Sequence, residues 1–312
     1  MLQKSGLGCP CFVHASVFGA VPQTTQGGPM FAFARAGLAL GFQVATNGSV
    51  SNMGRPLLGA CGPKPGEVLT ALSAVPRAND GRTLLAVYAR PGRQTGSSAP
   101  RAAERWVVCD AASDKILAEA VMPVDVFVQR QVTAATWLAD DTFVLAGRQV
   151  LMHGSVDAEL KLKLRTITHG RPWFQPVSLT CTGTHLALVD ASRNALWATT
   201  LTTCADGSQL VDCAWREVTE DAHTWLGLGV LKQVCADPVD AGAVLTHEIS
   251  HQGTSVVRHW DLSDPRYGSA EQLSGPQWAA HFPEALEVLV AVPGMPSAVV
   301  LKTLSAVASQ PM

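Results

Sequence analysis

The chain has 312 residues, of which 47% are hydrophobic and 15% are charged, and its formal net charge is −2. An apolar share of this size is enough to build a large core and excludes a globally disordered chain. The nearly balanced charge, with no Lys/Arg cluster interleaved with aromatic residues, gives no support to a nucleic-acid-binding surface. No apolar run reaches the roughly 20 residues that a membrane-spanning helix needs.

The opening of the chain alternates large apolar residues with small or polar ones. Segments 31–35 and 38–44, on either side of Gly37, predict two strands that each bury one face. The dipeptide Asn47-Gly48 predicts the turn that follows them. A further strand is expected over 11–18, inside an N-terminal segment of residues 1–29.

From Glu67 onward, short apolar segments separated by polar turns recur in sets of four. First strands recur every roughly 45 to 65 residues, and four short strands in such a period are typical of a β-propeller blade. The sets are 68–72, 84–88, 106–110 and 116–121; then 132–137, 142–146, 150–153 and 160–167; then 177–181, 185–189, 195–199 and 211–218; then 230–235, 243–249, 255–262 and a weak strand near 272–273; and last, with three strands, 278–282, 286–292 and 298–304.

The best-preserved set runs from 230 to 264 and ends its third strand in Trp260-Asp261. Its order of apolar strand, Pro/Asp/Gly turn, second strand, small Gly-containing turn and Trp-Asp strand resembles the repeat of the WD-repeat propeller family. Cys109-Asp110 occupies the same place in the set that begins at Glu67. The other sets lack the Asp, and the family's Gly-His dipeptide is missing throughout. The resemblance covers about residues 67–304.

This resemblance implies an all-β fold, a β-propeller of four-stranded blades that occupies residues 1–312 as a single domain. Six blades are expected if residues 12–60 form one, whereas seven is the commonest number in the family. Because the last set has only three strands, we expect segment 11–18 to close the ring as its fourth strand. Ring closure removes an exposed sheet edge.

A competing motif overlaps the best-preserved set. His247-Glu248-x-x-His251 matches the zinc-protease signature, which on a helix places both imidazoles on one face and the glutamate beside a metal-bound water. Gly242 and the β-branched residues around the motif favour a strand instead, and His259 does not fall at the compact spacing of a third ligand. In a strand the two histidines would lie roughly 13 Å apart, too far to share one zinc ion.

The predicted first strands carry hydroxyl side chains but no converging Asp, Glu or His, which disfavours a hydrolase in a propeller channel. We therefore assign no catalytic, cofactor-binding or metal-binding residue. The function expected is a non-enzymatic scaffold for other proteins, as a subunit of a larger complex, with loops such as 91–104 free to vary. A propeller-fold hydrolase and a zinc metalloprotease using His247, Glu248 and His251 are the alternatives.

Eight cysteines are scattered along the chain without the paired C-x-x-C spacing of a zinc ribbon. Cys109, Cys181 and Cys235 lie in or beside apolar segments, where a free thiol behaves as a small buried hydrophobe. This usage predicts a reducing, intracellular compartment, the cytoplasm. Glu67 is the first acidic residue, and so acid-poor an N-terminal region leaves mitochondrial import as the alternative.

Overall fold

A computed structural model describes residues 16–18, 30–35, 38–44, 50–56, 61–77, 81–90, 103–110, 115–123, 132–139, 141–148, 150–167, 175–203, 209–211, 214–220, 227–237, 240–263 and 278–282. Within these ranges the regular elements are all β-strands. No helix in the described part of the chain is long and apolar enough to cross a membrane.

The described residues form twenty-one strands of two to ten residues each. They are β1 (Ser16–Phe18), β2 (Met30–Arg35), β3 (Leu38–Val44), β4 (Val50–Pro56), β5 (Val68–Arg77), β6 (Gly81–Arg90), β7 (Ala103–Asp110), β8 (Lys115–Pro123), β9 (Val132–Trp137), β10 (Thr142–Gly147), β11 (Val150–Val156), β12 (Leu162–Ile167), β13 (Pro176–Cys181), β14 (His185–Asp190), β15 (Ala195–Thr203), β16 (Gln209–Val211), β17 (Arg216–Glu217), β18 (Val230–Ala236), β19 (Ala243–Ile249), β20 (Ser255–Asp261) and β21 (Trp278–Phe282).

The described strands pair into five antiparallel sheets, and each sheet uses strands that follow one another along the chain. Four of these sheets have four strands: β1–β4, β5–β8, β9–β12 and β18–β21. In the remaining sheet the fourth position is divided, because β16 pairs with the end of β15 and β17 pairs with its beginning. Such local connectivity needs only hairpin turns, and among the described turns Asn194 and Gly253 adopt the positive φ that tight turns use.

The first strands of successive sheets lie side by side: β1 contacts β5, β5 contacts β9, β9 contacts β13, and β13 contacts β18. Apolar layers fill the space between neighbouring sheets. One layer joins β5–β8 to β9–β12, a second joins β9–β12 to the sheet of β13–β17, and a third joins that sheet to β18–β21. Sheets stacked face to face around their first strands are the blades of a β-propeller.

The alternation of apolar residues located most strands. The predicted bounds of β3, β9 and β19 coincide with the observed ones. The predicted strand in 11–18 is described over Ser16–Phe18, where it pairs with β2 and begins the first sheet. Ser16–Phe18 is therefore the first strand of the first sheet, and its expected place as the fourth strand of the last set was wrong. Segments 286–292 and 298–304 lie outside the described residues, so the number of six or seven blades stays a prediction.

One strand was assigned to the wrong sheet. We expected Trp278–Phe282 to open a last set, but it is the fourth strand of the fifth sheet, with Trp278 opposite His259 and Phe282 opposite Ser255. The third strand of that sheet, β20, needs a hydrogen-bonding partner on its outer edge, and this apolar segment provides it. The weak strand expected near 272–273 lies outside the described residues.

The described cysteines agree with the expected role as small hydrophobes. Cys61, Cys109 and Cys235 are buried and Cys181 is half-buried, and none of these four forms a disulfide. Burial raises the pKa of the Cys181 thiol, so it stays protonated and unreactive at neutral pH.

Candidate functional site

The segment from Ala243 to Ser263 forms a hairpin in which β19 and β20 pair along their whole length. The turn between them spans residues 250–254, where the carbonyl of Ser250 accepts the amide of Gly253 at 2.9 Å. Gly253 has φ +78, a left-handed conformation that favours glycine. His247 and Glu248 therefore lie in a strand, and the helix that the zinc-protease arrangement requires is not formed.

The two histidines of the motif lie in different surroundings. His251 is exposed in the turn, whereas His247 is buried with 1% of its surface exposed. Nε2 of His247 lies 3.0 Å from the Ser255 hydroxyl, and its Nδ1 has no hydrogen-bond partner among the described residues. Burial, reinforced by the positive charge of Lys232, lowers the pKa of His247 to about 4. A neutral imidazole beside a serine hydroxyl could in principle act as a base and a nucleophile. Here both side chains are buried, so a substrate cannot reach them.

Glu248 is held by an ion pair. Its Oε1 lies 2.7 Å from an Nη of Arg258 and accepts the Nε–H at 2.8 Å, and both side chains are buried. The other carboxylate oxygen accepts the amide of Gly229 at 3.2 Å. A Cβ on Gly229 would collide with the carbonyl of Ile249, so only glycine lets the backbone approach this closely. Because its oxygens already accept these donors, Glu248 is not placed to act as a general base.

Two further buried pairs hold the same sheet together. The indole N–H of Trp260 donates to the hydroxyl of Thr246 at 2.8 Å. His259 Nε2 lies 3.1 Å from a carboxylate oxygen of Asp237, which follows β18. The polar side chains of this blade are thus used to join its strands, and sequence reasoning missed these partners because register, not spacing, brings them together.

Hydroxyl side chains on the first strands connect neighbouring blades. The Thr133 hydroxyl in β9 donates to the carbonyl of Pro176 in β13 at 2.5 Å. Ser178 in β13 donates to the carbonyl of Val234 in β18 at 3.2 Å and accepts the amide of the same residue at 3.0 Å. Thr180 accepts the amide of Ala236 at 3.1 Å. These three hydroxyls therefore act as cross-links between neighbouring blades.

Among the described residues, no group of three or more His, Cys, Asp or Glu side chains is placed to hold a metal ion. His247, Glu248 and His251 do not converge. The assignment of no catalytic, cofactor or metal residue stays a prediction, because it extends to parts of the chain that the structure does not describe.

Comparison with known proteins adds to this geometry. No protein-family model and no curated protein sequence matches the chain. Among solved structures, a chain of Chaetomium thermophilum Polycomb Repressive Complex 2 bound to GSK126 aligns with TM-score 0.52 and 10% identity, covering 91% of this chain and 65% of that one. A humanized mutant of that complex gives TM-score 0.50 and 12% identity, with 91% and 63% covered. The WD40 domain of Toxoplasma gondii coronin gives 0.40 and 11%, with 90% and 67% covered.

The two matches at TM-scores of 0.50 and above agree with the stacked four-stranded sheets described here. The fold is a β-propeller of four-stranded blades. Because the sequence identity to these structures is only 10% and 12%, the similarity indicates a shared fold and carries no information about function. The chain spans just under two thirds of the length of the two Polycomb complex chains that it matches.

Proposed function

We propose that this WD-repeat propeller is a non-enzymatic scaffold for protein–protein contacts, a single domain that serves as a subunit of a larger complex inside the cell. The observation that carries the proposal is the use of its buried ionisable groups. Glu248 pairs with Arg258, Asp237 with His259, and His247 faces Ser255, each inside the fifth sheet. These groups hold strands together and are not available to a substrate. A partner protein would therefore contact the exposed side chains of the turns.

The shape of the fold supports the same role. Apolar layers and hydroxyl cross-links make the stack of blades stiff. The described turns at 183–184, 191–193 and 251–253 are exposed. Rigid scaffolds that present variable loops are suited to recognising other macromolecules. The two matching chains come from structures of Polycomb Repressive Complex 2. Their membership of that complex motivates the proposal that this chain is also a subunit of a complex.

Affinity purification of the tagged full chain from cells tests the proposal. We expect one or more proteins to be recovered in constant ratio to the chain and to remain through size-exclusion chromatography. A parallel purification of an unrelated WD40 propeller with the same tag identifies proteins that bind the fold or the tag without specificity. Recovery of the chain alone would contradict a role as a complex subunit.

Metal analysis of the purified chain tests the non-enzymatic part of the proposal. We expect no stoichiometric zinc, because the strand geometry separates the buried His247 from the exposed His251. Zinc bound in a one-to-one ratio and lost in a His247→Ala/His251→Ala variant would favour the metalloprotease alternative. A His153→Ala variant, which changes a half-buried histidine in another blade, is the matched control.

A further inference from the structure

Two side chains make the same kind of contact across two different boundaries between sheets. Glu104, the second residue of β7, accepts the amide of Val132, the first residue of β9, at 2.7 Å. Asn194 directly precedes β15 and accepts the amide of Leu231, the second residue of β18, also at 2.7 Å. In both cases a side chain at the start of a third strand holds the start of the first strand of the next sheet. We call these contacts the Glu104 latch and the Asn194 latch.

The Asn194 latch is made by a neutral amide. While its Oδ1 accepts the amide of Leu231, its Nδ2 donates to the carbonyl of Gly229 at 2.8 Å. Asn194 has φ +54, a left-handed conformation in which asparagine is found more often than most residues. A carboxamide does not titrate, so the Asn194 latch has no group of its own that responds to pH.

The Glu104 latch is made by a carboxyl group inside an apolar layer. Side chains alternate between the two faces of a strand, so Glu104 shares a face of β7 with Trp106 and Val108, which pack in the layer between sheets β5–β8 and β9–β12. Both Glu104 and Val132 are buried. Burial raises the pKa of Glu104 to about 7, and its charge therefore changes close to neutral pH.

The charged groups on the opposite face of this sheet are paired with one another. The guanidinium of Arg105, the next residue after Glu104, lies 2.6 Å from the carboxylate of Glu67. Glu119 of β8 lies 3.5 Å from the same guanidinium and 2.9 Å from the Lys64 ammonium. These cations are therefore directed away from Glu104.

The charged groups on the strands that pack against Glu104 do not neutralise it either. Arg90 follows the residue that lies opposite Glu104 in β6, and Arg148 follows β10, and both side chains are exposed. Strand β9, over Val132–Trp137, contains no charged residue. None of these described groups forms an ion pair with Glu104. A carboxylate formed there has no countercharge among them.

We propose that Glu104 is a pH-sensitive latch, which holds sheets β5–β8 and β9–β12 together while its carboxyl group is neutral and releases the start of β9 after it loses its proton. A neutral carboxyl group can stay in the apolar layer and keep its bond to the Val132 amide. An ionised group without a countercharge is costly to bury, and opening the boundary allows water to solvate it. The proton passes to the solvent. The inference concerns a conformational property of the fold and does not rest on the scaffold role.

Proton linkage gives the sign and size of the effect. The pKa of Glu104 is about 7 in the closed boundary, whereas a solvated glutamate has its ordinary value of 4.5. Between these values the open boundary binds fewer protons than the closed one, so opening becomes more favourable as the pH rises. The opening equilibrium should increase about tenfold from pH 6 to pH 8 and level off above that range.

Amide hydrogen exchange of the full chain, measured by NMR at Val132 and Leu231, tests the inference. The intrinsic exchange rate rises with pH at every amide, so the quantity compared is the protection factor. We expect the protection factor of Val132 to fall about tenfold from pH 6 to pH 8, whereas that of Leu231 stays the same. An equal fall at both amides would overturn the inference, because the whole propeller and not the Glu104 latch would then be opening. A constant protection factor at Val132 would overturn it too.

Two variants assign the pH dependence to its group. Glu104→Gln keeps an acceptor oxygen for the Val132 amide and cannot ionise, so the protection factor of Val132 should no longer change with pH. Glu119→Gln is the matched control, since it removes a carboxyl group from the opposite face of the same sheet, and it should keep the tenfold fall. A fall that persists in Glu104→Gln would contradict the latch. The comparison of the two amides in the natural chain needs no substitution, so it decides the question even where a variant does not fold.

Discussion

The indole of Trp260 donates its N–H to the hydroxyl of Thr246 on the neighbouring strand, at 2.8 Å, and neither side chain is exposed. Asp261, the next residue, instead accepts the amide of Ser263 at 2.9 Å in the turn that follows β20. The two halves of the Trp-Asp pair thus have separate roles. The tryptophan joins the second and third strands of its blade, and the aspartate shapes the end of the third strand.

Thr246→Val should destabilise the chain, because it leaves the buried indole N–H of Trp260 without its acceptor. An unsatisfied buried donor costs about 1–3 kcal/mol, and we expect the free energy of unfolding in urea to fall by that amount. Thr246→Ser keeps the hydroxyl and should lose less. Equal unfolding midpoints for Thr246→Val and the natural chain would show that the hydrogen bond contributes little.

Removing one member of the Glu248–Arg258 pair should be more damaging. Glu248→Gln leaves the Arg258 guanidinium buried without a countercharge, and breaking such a pair costs about 3–5 kcal/mol. The double variant Glu248→Leu/Arg258→Met has no buried charge, so we expect it to unfold at a higher urea concentration than Glu248→Gln. If the double variant is less stable than Glu248→Gln, the attraction within the ion pair contributes more to the free energy of unfolding than the cost of one uncompensated buried charge.

Glu104 should make the protein less stable as the pH rises from about 4.5 to about 7. Its carboxyl group is buried in β7 and accepts the amide of Val132 at 2.7 Å. Burial raises the pKa of Glu104 to about 7. Between the two pKa values the folded chain keeps a proton that the unfolded chain releases, so folding weakens by on the order of 3 kcal/mol across this window.

The variant Glu104→Gln tests this contribution, since it keeps the acceptor oxygen for Val132 and removes the titration. We expect it to be more stable than the natural chain at pH 8 and to match it near pH 4.5, measured by thermal unfolding across the pH range. A difference between the two proteins that does not change with pH would contradict the raised pKa.

The titration of His247 should make stability depend on pH in the opposite direction. Its pKa is lowered to about 4, so below its usual value near 6.5 the unfolded chain binds a proton that the folded chain refuses. The stability it contributes is complete above about 6.5 and is lost as the pH falls through about 4, by on the order of 3 kcal/mol. In the Glu104→Gln background, stability should therefore rise from pH 4 to 6.5. Adding His247→Asn should flatten that rise, and an unchanged slope would assign it to another group.

Much of the fold follows from local patterns. Period-two alternation and turn residues located β3, β9 and β19 with their observed bounds, because both signals act over a few residues. They do not specify which strand pairs with which, and so Trp278–Phe282 was predicted as a strand but placed in the wrong set. Alternation indicates a buried face without naming the sheet that covers it.

The polar pairs were harder to predict for the same physical reason. Glu248 and Arg258 are ten residues apart in sequence, and only the register of β19 and β20 brings them onto one face. His247-Glu248-x-x-His251 looked catalytic because its spacing suits a helix, whereas Gly253 and the β-branched residues around it favour the hairpin.

The hydroxyl bonds of Thr133 and Ser178 have a mechanical consequence. Each joins a first strand to the backbone of the next first strand, and so fixes the position of one blade relative to its neighbour along the direction of the first strands. Apolar packing alone resists separation of the blades but only weakly resists sliding. These bonds supply resistance to shear near the axis, so a residue inserted into β9 or β13 would shift one blade past another, whereas insertions in the outer turns leave the alignment intact.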